Sequence, residues 1–153
     1  MSVARRALAA LTLAAALAAP AQAQAKKVYV SVDMEGVDGT VTGDQIGPNG
    51  FEYGRFREFM KREAIAAVTA AKDAGATEGV DADAHGNGEN LLIEQFPPDV
   101  RIVRSWPRKL GMIAPIDATF DALIFIGYHA STNNPAGVRA HTASHQFPID
   151  ISA

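Results

Sequence analysis

"VYVSVDMEGVDG", residues 28–39, begins as a strand and ends on two acids, Asp33 and Glu35, one residue apart. Val28, Val30 and Val32 supply β-branched bulk with a short polar break at Ser31. That pattern suits a strand buried on both faces, as in a parallel sheet, and such strands carry function at their ends. The two acids therefore stand at a strand tip.

Two further stretches repeat the arrangement. "TEGVDADAHGNGEN", residues 77–90, gives a short strand around Glu78 to Ala82 that runs into Asp83, His85 and a glycine turn. "DALIFIGYHA", residues 121–130, gives a strand from Ala122 to Ile126 that delivers His129 after Gly127 and Tyr128. A fourth strand is expected around Val100 to Val103.

Between these strands the period changes. Phe56, Phe59, Met60, Ala64, Ala67, Val68 and Ala71 recur at helical spacing, Arg57, Glu58, Lys61, Arg62 and Glu63 fall mostly on the other side, and Gly75 supplies a stop. Its aromatic and Met residues read as core. A shorter helical piece is expected from Glu89 to Gln95, ended by Pro97 and Pro98. The segment "EGVDGTVTGDQIGPNG", residues 35–50, is too rich in glycine for regular structure and reads as a long functional loop.

Strands alternating with helices imply an α/β fold, a three-layer sandwich around a mostly parallel sheet with right-handed crossovers. The carboxyl ends of parallel strands share one edge, where ligands bind. Asp33, Glu35, Asp83, His85 and His129 are expected to meet there. Singly, each has an ordinary reading: a solvated pair of loop acids, an exposed turn imidazole, a hydrogen-bonded structural histidine. Their shared position at strand ends is what points to a metal site.

Carboxylates and imidazoles without thiolates suit zinc, manganese or a similar divalent ion. Two such ions generate hydroxide and polarise a carbonyl or phosphoryl oxygen, so hydrolysis is the natural reaction. The lone Gly86-Asn87-Gly88 lacks the third glycine and the helix of a dinucleotide site.

The 153 residues suit one domain, preceded by a leader over residues 1–25. Arg5 and Arg6, the apolar run from Ala7 to Ala19, and the small residues at Ala21, Ala23 and Ala25 form a secretory signal pattern. Pro20 and the Gln and Lys residues beyond it leave the run short of the roughly 20 residues that span a membrane. The expected location is periplasmic or secreted, with no membrane attachment after cleavage. With no cysteine in the chain, no disulfide holds the fold. Loss of Arg5 and Arg6 leaves 12 of 14 basic residues against 17 acids, a net charge of −5 in place of −3, which argues against a nucleic-acid partner.

The motifs "VSVDMEG", "DADAHGNGENL", "IGYHA" and "PAGVRAHT", in that order, resemble the D-aminopeptidase family of binuclear zinc peptidases, over essentially all of residues 26–153. The resemblance implies that Asp33 bridges two zinc ions, that Glu35, His85 and His129 complete much of their coordination, and that His141 is the catalytic histidine. It further implies small peptides with an N-terminal D-residue as substrates, and a homo-oligomer in the complete family member. On its chemistry His141 can serve as nucleophile, general base or transition-state stabiliser beside the metals. His145, four residues on, has no family counterpart.

The family continues through a further metal-binding glutamate, whereas this sequence stops within an expected strand from Phe147 to Ile151. The expectation is the incomplete N-terminal part of such a domain. The alternatives are a non-catalytic metal- or peptide-binding remnant and another binuclear hydrolase such as a phosphoesterase. The latter needs an anion pocket, for which Arg104, Arg108 and Arg139 are the available cations.

Overall fold

The computed structural model describes residues 25–142. Residues 1–24 of the expected leader, His145 and the expected strand from Phe147 to Ile151 lie outside the described residues. Four strands, β1 (Lys27–Val32), β2 (Glu78–Asp83), β3 (Val100–Val103) and β4 (Ala122–Ile126), form one all-parallel sheet in the order β3-β2-β1-β4. The helix α1 (Tyr53–Asp73) carries the chain from β1 to β2. No helix among the described residues is long and apolar enough to cross a membrane.

Alternation along β1 divides the core into two layers. Val28, Val30 and Val32 pack with Phe56, Met60, Ala64 and Val68 of α1. Tyr29 faces the other way with Val80 and Ala82, against Val103, Ile116, Phe120 and Leu123. That second layer is the irregular segment between β3 and β4, with a single 3-10 turn at Gly111–Ile113. Tyr29 anchors it, donating its hydroxyl to the Ala114 carbonyl at 2.7 Å and meeting Phe120 edge-on. Burial pushes the Tyr29 hydroxyl up to about 12, so it stays a donor. Ser31 shares this face and bonds Tyr128 Oη at 2.8 Å, which accounts for the polar break in β1.

From β1 the chain moves outward to β2 and β3, then returns to place β4 on the opposite flank of β1. The order reverses between β1 and β4, and the crevice beyond their carboxyl ends is where such sheets bind ligands. Register brings the tips level: Val32 lies beside Asp83 on one side and Ile126 on the other. The ladder continues one step further, with Asp33 N–H donating to Ile126 O and Ala84 N–H to Val32 O.

The tips of β1 and β4 approach too closely for side chains. Gly127 has φ +67°, and a Cβ there would stand 2.2 Å from the Asp33 carbonyl oxygen. Gly127→Ala is expected to destabilise the protein by about 2–4 kcal/mol, combining left-handed strain with a backbone clash. A chemical denaturation midpoint indistinguishable from the parent's would refute this close approach.

The expected helix from Glu89 to Gln95 is absent, and residues 89–93 run as irregular chain. The Asp83 carboxylate takes the N–H groups of Asn90 and Leu91, the donors a helix there would leave to its first turn. Leu91 is drawn into the core with no exposure, and Gln95 adopts φ +74°. The carbonyls that a helix would give to N–H groups four residues on are taken instead by side chains, Glu89 O accepting Arg57 and Arg104 and Asn90 O accepting Arg57.

Candidate metal centre

Asp33 and Glu35 leave the tip of β1, His85 follows β2 by two residues, and His129 follows β4 by three. All four converge, and Asp33, Glu35 and His129 offer ligand atoms that lie within 4.8 Å of one another. His141 joins them from the loop beyond β4: its ring stacks on that of His129, with centroids 3.6 Å apart and planes inclined by 17°.

Each carboxylate divides its two oxygens between two histidines. His85 Nδ1 lies 3.2 Å from Asp33 Oδ1 and 2.9 Å from Glu35 Oε2. Asp33 Oδ2 faces His129 Nε2 at 3.7 Å, and Glu35 Oε1 faces His141 Nε2 at 3.8 Å. Asp33 therefore spans two half-sites, one toward β2 and one toward β4.

Backbone carbonyls fix which ring nitrogen faces inward. His129 Nδ1–H donates to Ala130 O at 2.9 Å, and His141 Nδ1–H donates to Arg139 O at 2.7 Å. Both rings thus turn Nε2 toward the carboxylates. His85 is held the other way round, with Nε2–H donating to Ile46 O at 2.8 Å, so Nδ1 is its inward atom. Carbonyl-anchored imidazoles of this kind are the usual second support of metal-ligating histidines.

The donor set fits divalent ions. Asp33 Oδ2 is buried without a hydrogen-bond partner, and His129 Nε2 faces it across 3.7 Å. A buried carboxylate oxygen is costly unless a positive charge stands beside it. The gap is too long for a hydrogen bond and is the order of separation between two ligands of one zinc ion, each about 2.0–2.2 Å from it.

Without metal, a proton serves at the other half-site. Desolvation is the largest influence on all three groups there. On His85 it is outweighed by the hydrogen bonds to Asp33 and Glu35, which raise the ring to about 10. On Glu35 desolvation is likewise overridden, chiefly by the His85 hydrogen bond and then by that with Asp33, which take it down to about 2. For Asp33 burial prevails and the shift is upward.

A model of the D-aminopeptidase family (peptidase M55) matches residues 26–151. The chain belongs to the D-aminopeptidase family. A D-aminopeptidase of Bacillus subtilis (strain 168) is 33% identical over 116 residues, 76% of this chain and 42% of that protein. Among solved structures, the Zn-dependent D-aminopeptidase DppA from Bacillus subtilis, described as a self-compartmentalizing protease, aligns with a TM-score of 0.74. Identity there is 32%, over 77% of this chain and 43% of that one. The chain spans less than half the length of these D-aminopeptidase relatives.

All five sequence-derived site residues, Asp33, Glu35, His85, His129 and His141, come together in this member of the D-aminopeptidase family. Asp83, expected at the same edge, does not enter the cluster. Its carboxylate instead accepts N–H groups from His85, Asn90 and Leu91. The Ile46 carbonyl was not legible in the sequence, since any residue supplies a carbonyl. The long glycine-rich loop before α1 was the only sign that backbone from that region would reach the site. Gln45 holds that loop, its Oε1 accepting the N–H groups of Val41 and Thr42.

Proposed function

We propose that this chain carries the metal-binding part of an exported, zinc-dependent aminopeptidase that hydrolyses peptides with an N-terminal D-residue, D-alanine-like in size. The supporting observation is the division of the Asp33 carboxylate between His85 and His129, the arrangement expected of a ligand shared by two ions. Asp33, Glu35 and His85 Nδ1 would hold one ion, and Asp33 with His129 Nε2 would hold the other. Bound zinc supplies an acidified water and polarises the scissile carbonyl.

The remaining work falls to the chain's own groups. Glu35, held ionised by His85, keeps negative charge at the β2-side half-site. His141 is the most open of the three rings, with 42% of its side chain exposed, and its Nε2 faces Glu35 Oε1 at 3.8 Å. It is placed to hold or move a proton at Nε2 while Arg139 O retains the one on Nδ1. Stacking against His129 fixes the ring plane.

A zinc-dependent relative of similar sequence and fold supports the peptidase chemistry. The leader pattern of residues 1–25 supports export to the periplasm or medium, and the relative's self-compartmentalizing description supports a homo-oligomer. A phosphoesterase would want guanidinium groups on the substrate oxygens. Among the described residues no Arg or Lys side chain bonds to the carboxylates or rings of the cluster.

The test is hydrolysis of D-alanyl and L-alanyl amides by the purified protein, with zinc and after chelation. D-selective turnover that vanishes with chelator and returns with zinc is expected, and His141→Ala is expected to lower kcat by about 10²–10⁴-fold with zinc retained. Zinc bound without turnover would favour the metal-binding remnant. Phosphate-ester hydrolysis in its place would favour the phosphoesterase.

A further inference from the structure

We propose that Asn90 is a positioning residue of the metal centre: it locks the turn after β2 so that His85 presents Nδ1 to Asp33 and Glu35. This rests on the metal-centre reading above and assigns a role to a residue outside the ligand set.

Asn90 has no exposure, yet every polar group of its side chain is used. Nδ2 donates to Asp83 Oδ1 at 3.0 Å and to the His85 carbonyl at 2.6 Å. Oδ1 accepts the Tyr53 hydroxyl at 2.6 Å. The backbone N–H of Asn90 bonds the Asp83 carboxylate, and its carbonyl accepts Arg57 Nε at 2.7 Å. One buried amide therefore joins the end of β2, the backbone of His85 and the first turns of α1.

These bonds converge on the backbone that carries the ring. Ile46 O restrains the outer edge of His85 at Nε2, and Asn90 restrains its main chain through the carbonyl. Asp83 adds a third restraint, accepting His85 N–H at 3.2 Å. Asp83 in turn depends on Asn90, whose backbone N–H and side-chain amide each supply one of the four N–H groups that it accepts. Gly86 and Gly88, both at positive φ, give the turn between them little stiffness of its own. Removing the Asn90 amide therefore frees the main chain of His85 while leaving every ligand in the sequence.

The experiment is zinc affinity by competition with a chromophoric chelator, on the purified parent and three variants, beside apo-protein melting temperatures. Asn90→Ala is expected to weaken zinc binding by about 10–100-fold, the usual effect of removing an outer-shell support. Tyr29→Phe removes a buried hydrogen bond on the opposite face of the sheet. It is expected to lower the melting temperature and leave zinc affinity within about two-fold. If Asn90→Ala does not fold, Tyr53→Phe decides, since it keeps the ring and loses only the bond to Asn90 Oδ1. A zinc affinity about three-fold weaker or more is expected there.

Zinc affinity within two-fold of the parent in folded Asn90→Ala overturns the proposal, as does equal weakening in Tyr29→Phe. The same holds for unchanged affinity in Tyr53→Phe where that variant decides. A parent that binds no zinc overturns the metal-centre reading instead, so the two failures are distinguishable.

Discussion

Asp33→Asn is expected to abolish zinc binding at both half-sites and to reduce hydrolysis by about 10³-fold or more, the several kcal/mol that metal assistance contributes. The substitution keeps the shape of the side chain and removes the charge. Asp33 is 2% exposed, and its two oxygens are the atoms that face His85 and His129. No other carboxylate in the cluster touches both half-sites, since Glu35 faces His85 and His141. Glu35→Gln is therefore expected to weaken the ion on the β2 side more than the other. Asp38→Asn, on the exposed part of the same loop, serves as control and should change neither zinc content nor turnover. Full zinc occupancy in Asp33→Asn by elemental analysis would remove Asp33 from the centre of the site.

Asp81→Val is expected to stabilise the protein, and by more at pH 8 than at pH 4.5. Asp81 sits in the middle of β2, in register with Val30 and Ile102 on the face covered by α1. It is fully buried, and neither carboxylate oxygen has a hydrogen-bond partner. Desolvation raises it from 3.8 to about 8. Because the folded state keeps this proton while the unfolded chain gives it up, the folded state binds more protons between about pH 4 and pH 8. Stability therefore falls as pH rises through that window, by up to about 1.4 kcal/mol per pH unit from this group.

Removing the carboxyl abolishes that slope. At pH 8 the ionisation linkage contributes a gain on the order of 5 kcal/mol, and at pH 4.5 only about 1 kcal/mol. The cost of burying an unpaired carboxylic acid, about 1–3 kcal/mol, adds to the gain at both pH values. Valine is β-branched and flanked by Val30 and Ile102, so it suits the strand. Urea denaturation at the two pH values measures both gains. A loss of stability, or equal gains at both, would show that Asp81 has a partner in solution.

The legible part of this structure was carried by periodicity and by strand ends. Strand runs leading to Asp33, His85 and His129 placed three candidate ligands on one edge, because parallel strands must align their carboxyl ends. The α1 stripe of Phe56, Met60, Ala64 and Val68 was equally plain. His141 was not accessible that way, since it follows a loop rather than a strand, and only resemblance to the D-aminopeptidase family marked it. The stretch from Glu89 to Gln95 misled because helical preference is local, whereas the Arg57 and Arg104 side chains that claim its Glu89 and Asn90 carbonyls come from α1 and from beyond β3. Asp83 itself misled for the same reason. An acid at a strand tip can bind a metal or cap the neighbouring turn, and what decides is the partner that the chain brings back eight residues later at Leu91.

The most direct measurement is an anomalous difference map at the zinc edge from zinc-soaked crystals of the purified protein. Two peaks are expected, one among Asp33, Glu35 and His85 Nδ1 and the other between Asp33 Oδ2 and His129 Nε2. Absence of anomalous density at Asp33, or zinc bound by His85 through Nε2 with the bond to Ile46 O broken, would contradict the metal centre described above.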